Sequence, residues 1–64
     1  MKTQKIKFSI GNVIWRSGAA FVRLVDSFPT EKEARNAAKN IFQVFAVPAN
    51  NKSTSLYFNE VTQL

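Results

Sequence analysis

Residues 5–10 alternate strictly between polar and apolar side chains along the sequence Lys-Ile-Lys-Phe-Ser-Ile. A period of two is typical of a strand with one buried face and one exposed face. We therefore predict a half-buried strand at the start of the chain, with Ile6, Phe8 and Ile10 on its buried side.

Two short polar pairs follow, each between apolar segments. Gly11-Asn12 and Ser17-Gly18 both match two-residue hairpin turns, because such residues tolerate the positive φ of these turns. They predict strands over residues 13–16 and 19–25. Together with residues 5–10, these strands would form a β-meander.

One helix is predicted from a capping box. Thr30 can accept from the Glu33 amide while the Glu33 carboxylate reaches back. Apolar side chains then recur at helical spacing as far as Phe45, before Pro48 ends the segment. The predicted helix spans residues 31–45, and its inner side would carry Ala34, Ala37, Ala38, Ile41, Val44 and Phe45.

A final strand is predicted over residues 54–62, after a polar loop. The predicted fold class is therefore α+β: a β-meander of three antiparallel strands, one helix packed on one sheet face, and a C-terminal fourth strand. Sixty-four residues leave room for one domain, residues 1–64.

Two-residue turns fix which residues oppose one another. Lys7 would then pair with Arg16, and Ile14 with Phe21. One face, predicted to lie under the helix, carries Ile6, Phe8, Ile10, Val13, Trp15, Ala20, Val22 and Leu24. The opposite, open face carries Lys5, Lys7, Ser9, Ile14, Arg16, Phe21, Arg23 and Val25.

The open face is the candidate binding surface, since it sets apolar side chains among cations. Directly opposed cations repel, and an anionic partner would account for a pairing of Lys7 with Arg16. Equally, the face could be an ordinary solvated surface whose basic side chains cover their apolar neighbours. The predicted contact residues are Lys5, Lys7, Arg16, Phe21 and Arg23.

Three aromatic residues could belong to the core or contact a ligand. Trp15 is predicted to lie in the core. Phe21 and Tyr57 are the candidates for stacking on a base, although a register slip of one would place both in the core.

The composition limits the chemistry. The formal net charge is +5 and the pI about 10.1, which favours an anionic partner such as nucleic acid or an acidic protein surface, although charge also keeps small proteins soluble. The chain has no Cys and no His. We therefore expect no metal, no cofactor, no catalytic residue and no small-molecule substrate, and a cytoplasmic location. We expect no membrane association, and the interrupted apolar pattern after the basic start does not fit a signal peptide.

Part of the chain resembles the N-terminal arm-binding domain of tyrosine recombinases. The resemblance covers about residues 13–40: Trp15-Arg16, Arg23, the segment Phe28-Pro29-Thr30-Glu31-Lys32-Glu33-Ala34, and Ala37 and Ala38. It implies a three-stranded sheet packed on a helix that grips DNA, with contacts from Lys7, Arg16 and Arg23. In size and layout the chain is also similar to small phage-encoded proteins that bind and inhibit a host enzyme.

Two functions are therefore expected from the sequence. The first is a non-enzymatic nucleic-acid-binding accessory protein of phage or mobile-element type, with DNA preferred to RNA as the ligand. The second is a phage-type protein–protein interaction factor that inhibits or redirects a host enzyme complex.

Overall fold

The structure is a computed structural model, and it describes residues 5–64. It confirms the α+β class, with one helix and a single antiparallel sheet of five strands in the order β4-β2-β1-β3-β5. The elements are β1 (Ile6–Arg16), β2 (Ala19–Phe28), α1 (Glu31–Ala38), β3 (Gln43–Pro48), β4 (Ser55–Tyr57), a 3₁₀ turn (Phe58–Glu60) and β5 (Thr62–Gln63).

The hairpin at Ser17-Gly18 forms as predicted. Both turn residues have positive φ, 49° at Ser17 and 78° at Gly18, which is the backbone of the turn that best matches the twist of two paired strands. Ile14 pairs with Phe21, and Trp15 with Ala20, in the expected register.

The predicted turn at Gly11-Asn12 is wrong, because β1 runs straight through it. The ladder between β1 and β2 instead shifts register between Ile10 and Gly11. A Cβ atom on Gly11 would lie 2.0 Å from the carbonyl oxygen of Arg23. Glycine is therefore needed here for the close approach of β2, and the residue does not reverse the chain.

The helix begins as predicted and ends early. The Thr30 hydroxyl accepts from the Glu33 amide at 3.2 Å and donates to the Glu33 carboxylate at 3.0 Å. The helix ends at Ala38, because Lys39 and Asn40 adopt left-handed backbone with φ of 50° and 65°. Residues 43–48, predicted as helix in part, form β3 along the free side of β1.

The predicted C-terminal strand over residues 54–62 is two strands. β4 pairs with β2 and β5 pairs with β3, at opposite edges of the sheet. Five residue steps join Tyr57 to Thr62, a reach of at most about 18 Å. Four strand spacings of a flat sheet already take about 19 Å. The sheet must therefore curve around the face that this connection crosses.

Each face of the sheet has its own small core. On the first, which we call the helix face, α1 packs over one half of the sheet; its core residues are Ile10, Ala34, Ala38 and Val44, with Phe8, Phe28, Ala37 and Phe42 beside them. On the second, which we call the closed face, the C-terminal segment covers Val22, Leu24, Phe45 and Val47, with Val13, Leu56 and Val61 beside them.

This arrangement corrects the predicted division of residues between the faces. Because β1 does not turn at Gly11, Ile10 and Val13 lie on opposite faces. Arg16, Phe21 and Arg23 consequently share a face with the helix and do not lie behind it. Within residues 5–64, no helix is long and apolar enough to cross a membrane.

We predict that Gly11→Ala will lower the free energy of unfolding by roughly 1–3 kcal/mol, because the added methyl group meets backbone that cannot rotate away. Gly18→Asn is the control: nothing lies within 4 Å of a Cβ there, and Asn tolerates its left-handed backbone. Urea unfolding of both variants measures the difference. A Gly11→Ala protein as stable as the wild type would mean that β2 does not approach Gly11 so closely.

Candidate nucleic-acid interface

Half of the helix face is left uncovered by α1. It lies toward the Ser17-Gly18 turn, where β1, β2 and β4 run side by side. Cross-strand pairing places Tyr57, Phe21 and Ile14 in one row across these three strands. We call these three side chains the apolar row.

The apolar row has an aromatic pair at its outer end. The ring centroids of Phe21 and Tyr57 are 4.7 Å apart, with an angle of 32° between the ring planes. Phe21 and Ile14 are half-buried, whereas Tyr57 is 53% exposed. In the described part of the chain β4 is an edge strand, so no strand there pairs with its outer side. The pair therefore presents aromatic surface to the solvent.

An arginine stands on each side of the apolar row. Arg23 lies opposite Asn12, one row toward the helix, and Arg16 lies opposite Ala19, one row toward the turn. Both arginines are exposed. Among residues 5–64, the single salt bridge joins Arg35 to Glu31 on the helix, so neither arginine of the site is paired with a carboxylate.

All four carboxylates accept from nearby donors, and one of them, Glu60, bonds the backbone of Tyr57 in the apolar row. Asp26 accepts from the Ser27 amide at 2.8 Å, and Glu60 accepts from the Tyr57 amide at 3.0 Å. The other two, Glu31 and Glu33, belong to the first turn of α1. Among residues 5–64, none of these carboxylates forms an ion pair with Arg16 or Arg23.

An open groove of about 340 Å³ runs beside the apolar row. Its lining combines two apolar residues, two arginines and two hydroxyl-bearing residues. We call it the arginine groove; its lining residues are Ile14, Arg16, Phe21, Arg23, Thr54 and Ser55. Such a lining can contact a planar apolar group and an anionic group at the same time.

Three of the five predicted contact residues are brought together here: Arg16, Phe21 and Arg23. Their prediction rested on the Ser17-Gly18 hairpin, which the structure confirms. Lys5 and Lys7 lie elsewhere. Lys7 is nine residues before Arg16 on the same strand, about 30 Å away, and an odd separation puts it on the closed face.

The predicted opposition of Lys7 and Arg16 is therefore wrong. Lys7 pairs with Val47 of β3, and its Nζ donates to the carbonyl oxygen of Asn51 at 2.7 Å. Lys5 precedes β1 and is exposed, and its carbonyl accepts from the Ala49 amide. Both lysines hold or border the loop between β3 and β4.

Several residues of the site are not among the predicted contact residues, and the predicted position of Trp15 in the core is wrong. Thr54 and Ser55 join the groove because β4 pairs with β2, a long-range contact with no local signal. Tyr57 was considered for stacking but not included among the contacts. Trp15, predicted to be core, is 72% exposed at the turn end of the closed face. β3 pairs with β1 only as far as Gly11, so within residues 5–64 no strand lies on that side of Trp15.

No family model matches the chain, and neither a curated protein nor a solved structure matches it. Within the described part of the chain, no group of three or more potential metal-ligating side chains comes together.

The role of Lys7 gives a test of this placement. We predict that Lys7→Gln lowers the free energy of unfolding by about 1 kcal/mol, because the half-buried hydrogen bond to Asn51 is lost. Lys5→Gln, which removes the same charge from an exposed side chain, should change stability by less than about 0.5 kcal/mol. Thermal or urea unfolding compares the two. A gain in stability for Lys7→Gln would instead support repulsion between opposed cations.

Proposed function

We propose that this protein is a non-enzymatic nucleic-acid-binding module that uses the uncovered half of its helix face. One observation carries the proposal: the apolar row of Tyr57, Phe21 and Ile14 lies between two arginines that have no carboxylate partner. Cations supply the affinity for phosphates, and aromatic side chains between them supply contacts to bases.

The spacing of the two arginines favours a polymer over a small anion. Arg16 and Arg23 lie on neighbouring strands, two rows apart, which separates their backbones by about 14 Å. Side chains that start so far apart suit two phosphates of one chain better than a single phosphate. The apolar row between them would then lie under the intervening nucleotide.

The absence of catalysis is part of the same proposal. It is supported by the local engagement of the carboxylates, which leaves no acid–base pair facing the groove. Assignment to accessory proteins of phage or mobile elements, a preference for DNA and a cytoplasmic location are supported by the sequence resemblance, the small size and the lack of Cys.

The proposal predicts which charges matter for binding. Arg16→Gln and Arg23→Gln should each reduce the slope of log affinity against log salt by about 0.7 to 0.9, because each removes one phosphate contact. Lys32→Gln, which removes an exposed charge on the helix, keeps the same net charge as either variant and should leave the slope unchanged. Fluorescence anisotropy with labelled oligonucleotides at several salt concentrations measures the slopes.

Equal slopes for all three variants would show that binding depends on net charge and not on this site. Binding no tighter than that of an unrelated protein of equal charge would remove nucleic acid as the ligand.

A second candidate function, docking on a protein partner, is favoured by the outer edge of β1. β3 pairs only with residues 6–11, so residues 12–16 have a free edge in the described chain. Because Arg16 and Ala19 close the two-residue turn, the backbone groups of Val13 and Trp15 point outward. An extended segment of a partner could add to this edge and cover the exposed Trp15.

If the edge of β1 is the working surface, Trp15→Ser should abolish capture of a host protein from a nuclease-treated lysate, with no loss of oligonucleotide binding. The reverse result, with Trp15→Ser retaining every captured protein, would exclude this edge. Pull-downs with the wild type and with Arg23→Gln serve as references, because Arg23 lies on β2, between β1 and β4, and not on that edge.

A further inference from the structure

We propose that the site accepts the unpaired bases of a single strand and not an intact duplex. This inference rests on the proposed nucleic-acid function and names the form of nucleic acid. It follows from the exposure and position of the aromatic rings more than from the charges.

Phosphate contacts alone do not require aromatic rings. A duplex keeps the faces of its bases inside the stack and presents phosphates outward, so an exposed ring on a duplex-binding surface has no base face to contact. Tyr57 is 53% exposed and forms the outer end of the apolar row. Splayed bases of a single strand can stack against such a ring.

The position of the ring pair also suits a single strand. Phe21 and Tyr57 already contact each other, which holds both rings at fixed positions on the sheet before any ligand arrives. Tyr57 is the exposed ring at the edge-strand end of the row, and Phe21 lines the arginine groove. A strand that crosses the row would therefore meet one aromatic surface on each side of the pair.

The arginine groove adds polar groups at the right place for a base. Ser55 pairs with Arg23 in the ladder, and Thr54, the residue before it, also lines the groove. A hydroxyl group both donates and accepts, so it can contact the edge of any base that is not already paired. An exposed sheet with stacking side chains takes about two or three bases, which sets the expected footprint.

The test compares two single strands of equal charge, with and without bases, and a duplex. Wild-type protein is titrated with a thymidine 12-mer, with an abasic 12-mer carrying the same phosphates, and with a 12-base-pair duplex. We expect the thymidine strand to bind at least about tenfold more tightly than the abasic strand, because stacking is lost without bases. We expect the affinity for the duplex, divided by the number of contacted phosphates, to equal the corresponding value for the abasic strand.

Variants locate the effect on the apolar row. Tyr57→Leu and Phe21→Leu keep an apolar side chain and remove the ring, so each should reduce the ratio between thymidine and abasic affinities while leaving abasic affinity unchanged. Phe42→Leu is the matched control, because Phe42 is a half-buried ring that packs beside the core of the helix face and outside the apolar row. Circular dichroism establishes that each variant is folded, and the wild-type comparison requires no substitution at all.

The outcomes separate this inference from the function on which it rests. Equal affinity for thymidine and abasic strands, in both the deoxyribose series and a parallel ribose series, would overturn the single-strand inference and leave phosphate binding in place. A base-dependent affinity in either series, lost in Tyr57→Leu and Phe21→Leu, would support it. Failure to bind any of these ligands beyond a protein of equal charge would overturn both.

Discussion

A single antiparallel ladder, from Phe8 opposite Phe28 to Arg16 opposite Ala19, holds every other part of this chain in position. β3 pairs with the β1 side of this ladder, β4 pairs with the β2 side, and α1 packs over the end that contains Phe8 and Phe28. The ladder in turn depends on a close contact between backbones. At Gly11 the carbonyl group of Arg23 in β2 occupies the space that a side chain would fill, and the register of the ladder shifts there.

The second constraint is the small amount of chain available to cover the sheet. α1 covers half of the helix face, and the C-terminal segment covers the closed face by crossing between the sheet edges. Neither covers Trp15 at the end of the hairpin. Burying a large apolar side chain contributes about 1.5–3 kcal/mol, yet Trp15 and Tyr57 stay mostly exposed there. A domain of 64 residues has little stability to forgo, so this exposure favours a binding role for the hairpin end.

Charge follows the same division. The carboxylates sit at caps and turns, where each satisfies a nearby donor, and this leaves the cations of the hairpin end without partners among the described residues. A net charge of +5 attracts any polyanion from a distance. The positions of the individual side chains then determine which polyanion binds. A ring pair between two arginines offers contacts to bases that a uniform basic surface lacks.

Local sequence determined much of this protein. Strict alternation defined the start of β1, Ser17-Gly18 defined the turn, and Thr30 with Glu33 defined the start of the helix, because each signal acts over a few residues. The turn also determined that Arg16, Phe21 and Arg23 share a face, and these three residues are half of the lining of the arginine groove.

Only the tertiary structure decided how these pieces combine. Gly11 matches a turn pattern in the local sequence, but its structural role is to allow close contact with the backbone of Arg23, twelve residues away. Val44 and Phe45 fit a helical stripe, yet as neighbours in β3 they fill two cores on opposite faces of the sheet. Pairing of β4 and β5 at opposite edges curved the sheet and brought Tyr57 beside Phe21. Such pairings join residues far apart in the chain, and a local pattern carries no information about which distant backbone will lie beside it.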